Sequence, residues 1–300
     1  MIKCNFNNEI NETVYYLKWE ITNGKANVVI AHGMVEHPAR YDDLAKYLNS
    51  NGINVYGIYH IGHGEDAKVL NHMGKNEFDR CISNINELIE LVKVNNLPTF
   101  LLGHSMGSFM SQLYVTRYNN ISGLILSGST KSNFISKAGS LVASILTFFA
   151  KDKTKPSKFL DNMAFGSYGK AFKNARTKFD WLSQDEAQVD KYISDPYCGG
   201  VCSSSFFKNL TTGMAQMGKK KNLKNVNLDL PIYIHGGSSD PVSNMGKGLY
   251  QLEAQYKKLG VKNVKLDVYP NDRHEIYNEL NKQEVYENTL NFINSNIYKY

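Results

Sequence analysis

The sequence lacks several features that mark specialised classes of protein. Its 300 residues contain only four cysteines, which form no C-x-x-C pair and have no metal-ligand spacing with histidine. The first residues contain no apolar core of signal-peptide length. The most apolar later segment, residues 141–150, is shorter than the roughly 20 residues that span a bilayer. We therefore expect a cytoplasmic protein with reduced thiols.

The sequence is also without a strong charge bias. The formal net charge is +6, and the two basic runs, at residues 151–158 and 219–221, are not interleaved with stacking aromatic residues. We expect no nucleic-acid partner, whereas a peripheral contact with an anionic lipid surface is compatible with this charge. The chain is 42% hydrophobic and 21% charged, which is typical of a globular protein with a sizeable core.

Strand-like and helix-like segments alternate along most of the chain. Strands are predicted at residues 27–31, 53–58, 98–102, 123–127, 231–235 and 264–269. Strands separated by helices indicate βαβ crossovers, so the predicted fold class is α/β with a mostly parallel sheet flanked by helices. This alternation of strands and helices stops between about residues 131 and 225, where the sequence is helical and aromatic. We predict a core of residues 1–130 and 226–300 with a helical cap, residues 131–225, inserted into it.

A serine between two glycines follows one of these predicted strands. Gly103-His104-Ser105-Met106-Gly107 separates the strand from a helical pattern and fits the G-x-S-x-G motif. In a nucleophile elbow, such a serine occupies a strained turn that exposes its hydroxyl above the sheet. The alternative is a strand-to-helix turn in which Ser105 only caps the helix.

A nucleophilic serine needs a base within hydrogen-bond reach and an acid that orients the base. Asp240 comes directly after a late strand, and His274 follows the last strand. The order Ser105, Asp240, His274 is the one that the elbow motif requires. Asp267 and Asp272 are the rival acids, the former within the last strand and the latter in a turn.

Acyl transfer also requires two backbone N–H groups that stabilise the oxyanion. One should belong to the residue after the nucleophile, Met106. The other should come from the loop after an early strand, where Gly33 permits a sharp turn and Met34 is the candidate donor.

Four segments give the sequence a specific resemblance. "HGMVEHPARY" resembles the HGxxEHxxRY segment of the monoacylglycerol lipase and lysophospholipase branch of the α/β-hydrolases, a group also called serine aminopeptidase S33-like. "GHSMGS", "SSDPVS" and "RHEIYNE" resemble its nucleophile, acid and histidine segments, and the resemblance runs from about residue 10 to the C-terminus. It implies a serine ester hydrolase that needs no metal or organic cofactor and has a helical cap over an acyl pocket.

The resemblance assigns roles to further residues, and the sequence departs from the family pattern in two segments. It implies that Glu36 and Arg40 lie below the nucleophile, near the polar head of a glycerol ester; a simple ion pair at a helix start is the alternative. The usual GHSMGG ends here in Ser108, and the segment usually read DHRGHG is YHIGHG, with Tyr59 in place of the aspartate.

The cap contains one unusually apolar segment, for which two interpretations remain. As a channel for an acyl chain, its lining residues would be Leu141, Ile145, Phe148 and Phe149. As the surplus apolar face of a cap helix, the same residues would pack inside the cap or touch a lipid surface. The channel is the interpretation that we carry forward.

The predicted partner is therefore a lipid or small ester substrate, and the favoured substrates are monoacylglycerols and lysophospholipids. One alternative is a small-ester carboxylesterase. Another is a peptidase or amidase similar to proline iminopeptidase, in which Asp185, Glu186 and Asp190 of the cap would bind the substrate amine. A ligand-binding protein that retains the fold without catalysis is the last alternative, although no triad position is lost.

Overall fold

The computed structural model describes residues 1–93, 96–132, 142–148 and 150–297, and its centre is one eight-stranded sheet. The strands are β1 (Ile2–Asn7), β2 (Thr13–Trp19), β3 (Ala26–Ala31), β4 (Ile53–Ile58), β5 (Thr99–His104), β6 (Gly123–Ser127), β7 (Ile232–Gly237) and β8 (Val264–Tyr269). Their spatial order is β1-β2-β4-β3-β5-β6-β7-β8. The six strands from β3 onward run parallel to one another, whereas β2 pairs with β4 antiparallel, and this mostly parallel sheet confirms the predicted fold class.

Helices cover both faces of the sheet. They are α1 (Asp42–Ser50), α2 (Glu77–Val92), α3 (Met106–Tyr114), α4 (residues 142–148), α5 (Lys158–Phe165), α6 (Glu186–Ser194), α7 (Ser204–Met217), α8 (Lys220–Leu223), α9 (Lys247–Leu259) and α10 (Lys282–Asn294). Because side chains alternate along a strand, Val29 packs with the cluster that includes α2 and α3, while Ile30 packs with the cluster that includes α1 and α10. This two-sided burial explains why the central strands are continuously apolar.

Between β6 and β7 the described residues form helices α4 to α8 and a single isolated bridge, between Pro156 and Ser203. Phe206 and Leu210 of α7 join the same apolar cluster as α2 and α3. The helical cap thus rests on the sheet face that carries α3. The boundaries at residues 131 and 225 stay a prediction. Within the described ranges, no helix has both the length and the apolar character to cross a membrane.

Sequence analysis missed the first strand. β1 pairs with β2 in an antiparallel hairpin whose loop includes Asn11 at φ 59°. No residue of β1 is fully buried, because the strand lies at the sheet edge. A strand of this kind has no continuous apolar run, so the criterion that found the central strands does not apply to it.

Candidate active site

Ser105 stands at a strained turn between β5 and α3. Its backbone has φ 51° and ψ −117°, a conformation that non-glycine residues rarely adopt. Its N–H donates to Ser127 O on neighbouring β6 (2.9 Å), and its carbonyl accepts from the Ser108 hydroxyl (2.6 Å). The serine that departs from the family pattern is therefore bonded to the backbone of Ser105. The strain is of the kind that accompanies functional sites.

The flanking glycines have steric reasons to be there. A Cβ on Gly107 would overlap the carbonyl oxygen of Ala31, and a Cβ on Gly103 would overlap Ser111 Oγ and the backbone of Gly107. The helix start can approach the sheet only because both positions carry no side chain. This close approach explains the spacing of the motif without any appeal to capping.

The structure brings Asp240 and His274 together in the loops after β7 and β8. The His274 Nδ1–H group donates to Asp240 Oδ1 over 2.9 Å, and both side chains are buried. The same carboxylate oxygen accepts the Val242 N–H at 2.8 Å. His274 and Ser105 line one cavity. Because the carboxyl ends of β5, β7 and β8 lie at one edge of a parallel sheet, residues distant in sequence converge there.

Two opposing effects set the protonation of His274. Burial lowers its pKa, but the charge of Asp240 and the hydrogen bond to it raise it, and the net result lies above the usual value of 6.5. The ring also packs against Trp181 of the cap, with centroids 5.1 Å apart, and against His104 at 4.7 Å. The Asp240 pair thus stabilises the imidazolium that forms when a histidine accepts a proton.

The two rival acids, Asp267 and Asp272, have other partners than His274. Asp267 accepts a hydrogen bond from the Tyr233 hydroxyl (2.6 Å) and pairs with Lys265 (2.8 Å). Asp272 is buried, and burial together with nearby Glu279 raises its pKa to about 6. Among the described residues, Asp240 is the carboxylate that contacts the His274 ring.

The loop of residues 32–36, called the oxyanion loop below because it carries the predicted oxyanion donor, lies beside Ser105. The Val35 backbone has φ 51°, and its N–H donates to His63 Nε2 at 3.1 Å. Met34 and Met106 both line the cavity. Among the described residues, neither of their N–H groups donates a hydrogen bond within the protein, and their role as oxyanion donors stays a prediction.

Glu36 and Arg40 belong to a buried charge cluster, in which Glu36 and Glu275 line the cavity and Arg40 does not. Arg40 binds Glu36 (2.8 Å) and both carboxylate oxygens of Glu275 (2.5 and 2.6 Å). Glu36 also accepts from the Gly33 N–H and the Tyr41 hydroxyl. The cluster joins the oxyanion loop to the residue after His274. The predicted ion pair exists, but its second carboxylate, Glu275, was not predicted.

A cavity of about 1,090 Å³ extends from Ser105 into the cap. Its apolar lining includes Phe165, Trp181, Phe207 and Met214. Small-molecule sites commonly have volumes of about 300–1,000 Å³, so this one is large. Trp181 lines the cavity and also packs on His274. No motif in the sequence distinguished it.

The apolar cap segment does not have the arrangement expected of an acyl channel. Ile145 and Phe148 are 49% and 79% exposed and do not line the cavity, whereas Val142 and Ala143 do. The reason is helical spacing: residues 145 and 148 share one face of α4, and the buried Ala143 and Thr147 share another. Leu141 and Phe149 lie outside the described residues.

With this geometry established, the chain can be compared with known proteins. Residues 22–281 match the family model described as "Serine aminopeptidase, S33". The chain belongs to this family. A monoacylglycerol lipase from Mycolicibacterium smegmatis is 24% identical over 92% of this chain and 90% of its own length. A monoglyceride lipase from Mus musculus is 27% identical over 90% and 82%.

A thermostable carboxyl esterase from Bacillus coagulans, solved in complex with glycerol, superposes with a TM-score of 0.90. It is 26% identical, and the match covers 99% of this chain and 98% of the esterase. The family and these relatives identify the chain as a serine ester hydrolase of the monoacylglycerol lipase branch of the α/β-hydrolases.

Proposed function

We propose that the enzyme hydrolyses monoacylglycerols or lysophospholipids through an acyl-enzyme intermediate on Ser105. The observation that carries the proposal is that Ser105, His274, Met34 and Met106 all line one capped, largely apolar cavity. A polar reaction centre below an apolar volume suits an ester with a long hydrocarbon chain.

In the proposed reaction, the Ser105 hydroxyl attacks the ester carbonyl while His274 accepts its proton and Asp240 holds the imidazole in position. The N–H groups of Met34 and Met106 stabilise the oxyanion. Collapse of the tetrahedral intermediate breaks the ester bond, and His274 returns the proton to the departing alcohol. Water then attacks the acyl-enzyme in the same way and releases the fatty acid and free Ser105.

The outer face of α4 supports a proposed contact with lipid surfaces. Its exposed Ile145 and Phe148 are accompanied by exposed Phe159 and Met163 of α5. The intervening residues 151–158 include several exposed lysines. Exposed apolar residues beside lysines are the composition that favours anionic membrane interfaces. Ile145 and Phe148, which were first assigned to the acyl channel, would then contact lipid outside it.

The peptidase alternative receives less support. Asp190 pairs with Arg176 at 2.6 Å, and Asp185 caps the start of α6 by accepting from two backbone N–H groups. Neither residue, nor Glu186, lines the cavity. A substrate amine in the cavity would not meet these carboxylates.

The acyl-chain preference tests the proposal. Each buried methylene contributes about 0.8 kcal/mol, so kcat/KM should rise up to roughly fourfold per methylene from C4 to C8 monoacylglycerols below their micelle concentrations. Replacing the lining residue Phe207 with Ala should flatten this rise. The matched control, Phe148→Ala, removes an exposed aromatic and should leave the rise unchanged. A preference for C4 esters, or faster cleavage of aminoacyl amides, would contradict the proposal.

A further inference from the structure

Three side chains with metal-binding atoms meet outside the catalytic cavity. His37 follows the oxyanion loop, and Asp195 and Cys198 follow α6 of the cap. His37 Nε2 lies 2.7 Å from Asp195 Oδ2, and the ligand atoms of all three residues lie within 4.8 Å of one another. His37 and Asp195 are mostly buried, and Cys198 is partly buried.

Backbone hydrogen bonds fix the two segments relative to each other. Asp195 Oδ1 accepts the Tyr197 N–H (2.8 Å), which leaves Oδ2 for His37. The Cys198 N–H donates to the Asp195 carbonyl (3.1 Å), and the Gly199 N–H donates to Val35 O in the oxyanion loop (3.0 Å). The Cys198 thiol and the His37 imidazole are therefore carried by two loops that a backbone hydrogen bond connects.

The spacing and chemistry of these donors favour zinc. With metal–ligand bonds of about 2.0–2.3 Å, neighbouring ligands of a tetrahedral zinc ion stand roughly 3.3–3.7 Å apart. This spacing falls between the 2.7 Å that separates His37 Nε2 from Asp195 Oδ2 and the 4.8 Å within which all three ligand atoms lie. Thiolate, imidazole and carboxylate are all zinc ligands, whereas calcium and magnesium prefer oxygen alone. One carboxylate and one thiolate also balance the charge of a divalent ion.

We propose that His37, Asp195 and Cys198 bind one Zn²⁺ ion, with water as the fourth ligand. Binding would convert the Cys198 thiol to a thiolate and release its proton. A second cavity, of about 480 Å³, is lined by His37 and Asp195 together with Tyr59 and Glu65, and gives the ion a route from solvent. The Arg40 charge nearby opposes a cation, but Glu36 and Glu275 offset that charge.

The site would connect the oxyanion loop to the cap without taking part in ester hydrolysis. Sequence analysis found no metal spacing because His37 and Asp195 are 158 residues apart. The ion would therefore act as a cross-link between distant segments, and its presence should raise the resistance of the protein to unfolding.

The test uses the full chain, treated with a chelator and then titrated with Co²⁺ or Zn²⁺. We expect one equivalent of Co²⁺ to produce a thiolate-to-cobalt charge-transfer band, and Zn²⁺ to displace it and raise the Tm. Cys198→Ala should abolish the band and the Tm increase, and Asp195→Asn should weaken Zn²⁺ binding at least tenfold. Cys202→Ala is the matched control, because Cys202 is a buried thiol outside the cluster. No saturable binding by the wild type, or a band that survives Cys198→Ala, would overturn the proposal.

Discussion

Replacing Arg40 with Met should destabilise the protein severely, because it would leave two carboxylates buried without their partner. The side chains of Arg40, Glu36 and Glu275 are only 9%, 4% and 6% exposed. Removing one member of a buried ion pair costs about 3–5 kcal/mol, and Arg40 serves two such pairs. In a chain of this size, each kcal/mol lowers the Tm by about 2 °C, so the expected decrease is roughly 6–10 °C.

The destabilisation should depend on pH in a specified direction. Burial alone would raise the pKa of Glu275, but Arg40 outweighs it and holds that pKa below the usual 4.5. In the wild type, this stabilising contribution is present above pH 4.5 and is lost as the pH falls through the lowered pKa. Without Arg40, burial and Glu36 raise the pKa of Glu275 above its unfolded value. The Tm of Arg40→Met should therefore be closer to that of the wild type at pH 5 than at pH 8.

Thermal and urea unfolding of single and double variants measure the effect. Arg40→Met combined with Glu275→Gln should lose about 1–3 kcal/mol less than the sum of the two single losses, because the second change removes a stranded charge. Lys46→Met is a suitable control, since Lys46 forms an exposed ion pair with Asp42. Additive losses in the double variant, or a Tm deficit that grows as the pH falls, would refute the reasoning.

Two further predictions concern the pair of His274 with Asp240 and the rival acid Asp272. The kcat/KM of the wild type should rise with pH through an apparent pKa above 6.5, because His274 must be neutral to accept a proton and the Asp240 pair raises its pKa. Asp240→Asn should lower kcat about 10⁴-fold and lower the apparent pKa of the pH–rate profile measured with a soluble ester. An unchanged apparent pKa would exclude the pair of His274 with Asp240. Asp272→Asn should leave kcat nearly unchanged. It should raise the Tm more at pH 8 than at pH 5, because Asp272 has a pKa of about 6 and burial disfavours its charged form, which is present at the higher pH. A large loss of kcat in this variant would mean that the wrong acid was assigned.

Local patterns predicted the sheet and the residues that meet at its edge. The motif around Ser105 and the loops that carry Asp240 and His274 each follow a strand, and strand ends can be located from short apolar runs or from alternation of apolar and polar residues. The parallel arrangement then places those ends together. For this reason the order of residues along the chain was enough to select Asp240 over Asp267.

Features that depend on distant contacts could not be predicted in this way. Glu275 binds Arg40 across 235 positions, and the contact between Trp181 and His274 depends on how the cap folds over the sheet. The apolar residues of α4 were recognised, but their direction was not, because the sequence of one helix does not say which face meets a cavity. The prediction that Ile145 and Phe148 line the cavity was therefore wrong, because both lie on the exposed face of α4.

Reaction with a fluorophosphonate probe, followed by intact mass and peptide mapping, tests the central claim most directly. The account predicts one adduct per chain, located on Ser105, with loss of ester hydrolysis in proportion to labelling. Ser105→Ala should be neither labelled nor active, whereas Ser108→Ala, three residues away, should still be labelled. Ester hydrolysis that persists in Ser105→Ala, or an adduct on another residue, would contradict the assignment of Ser105 as the nucleophile.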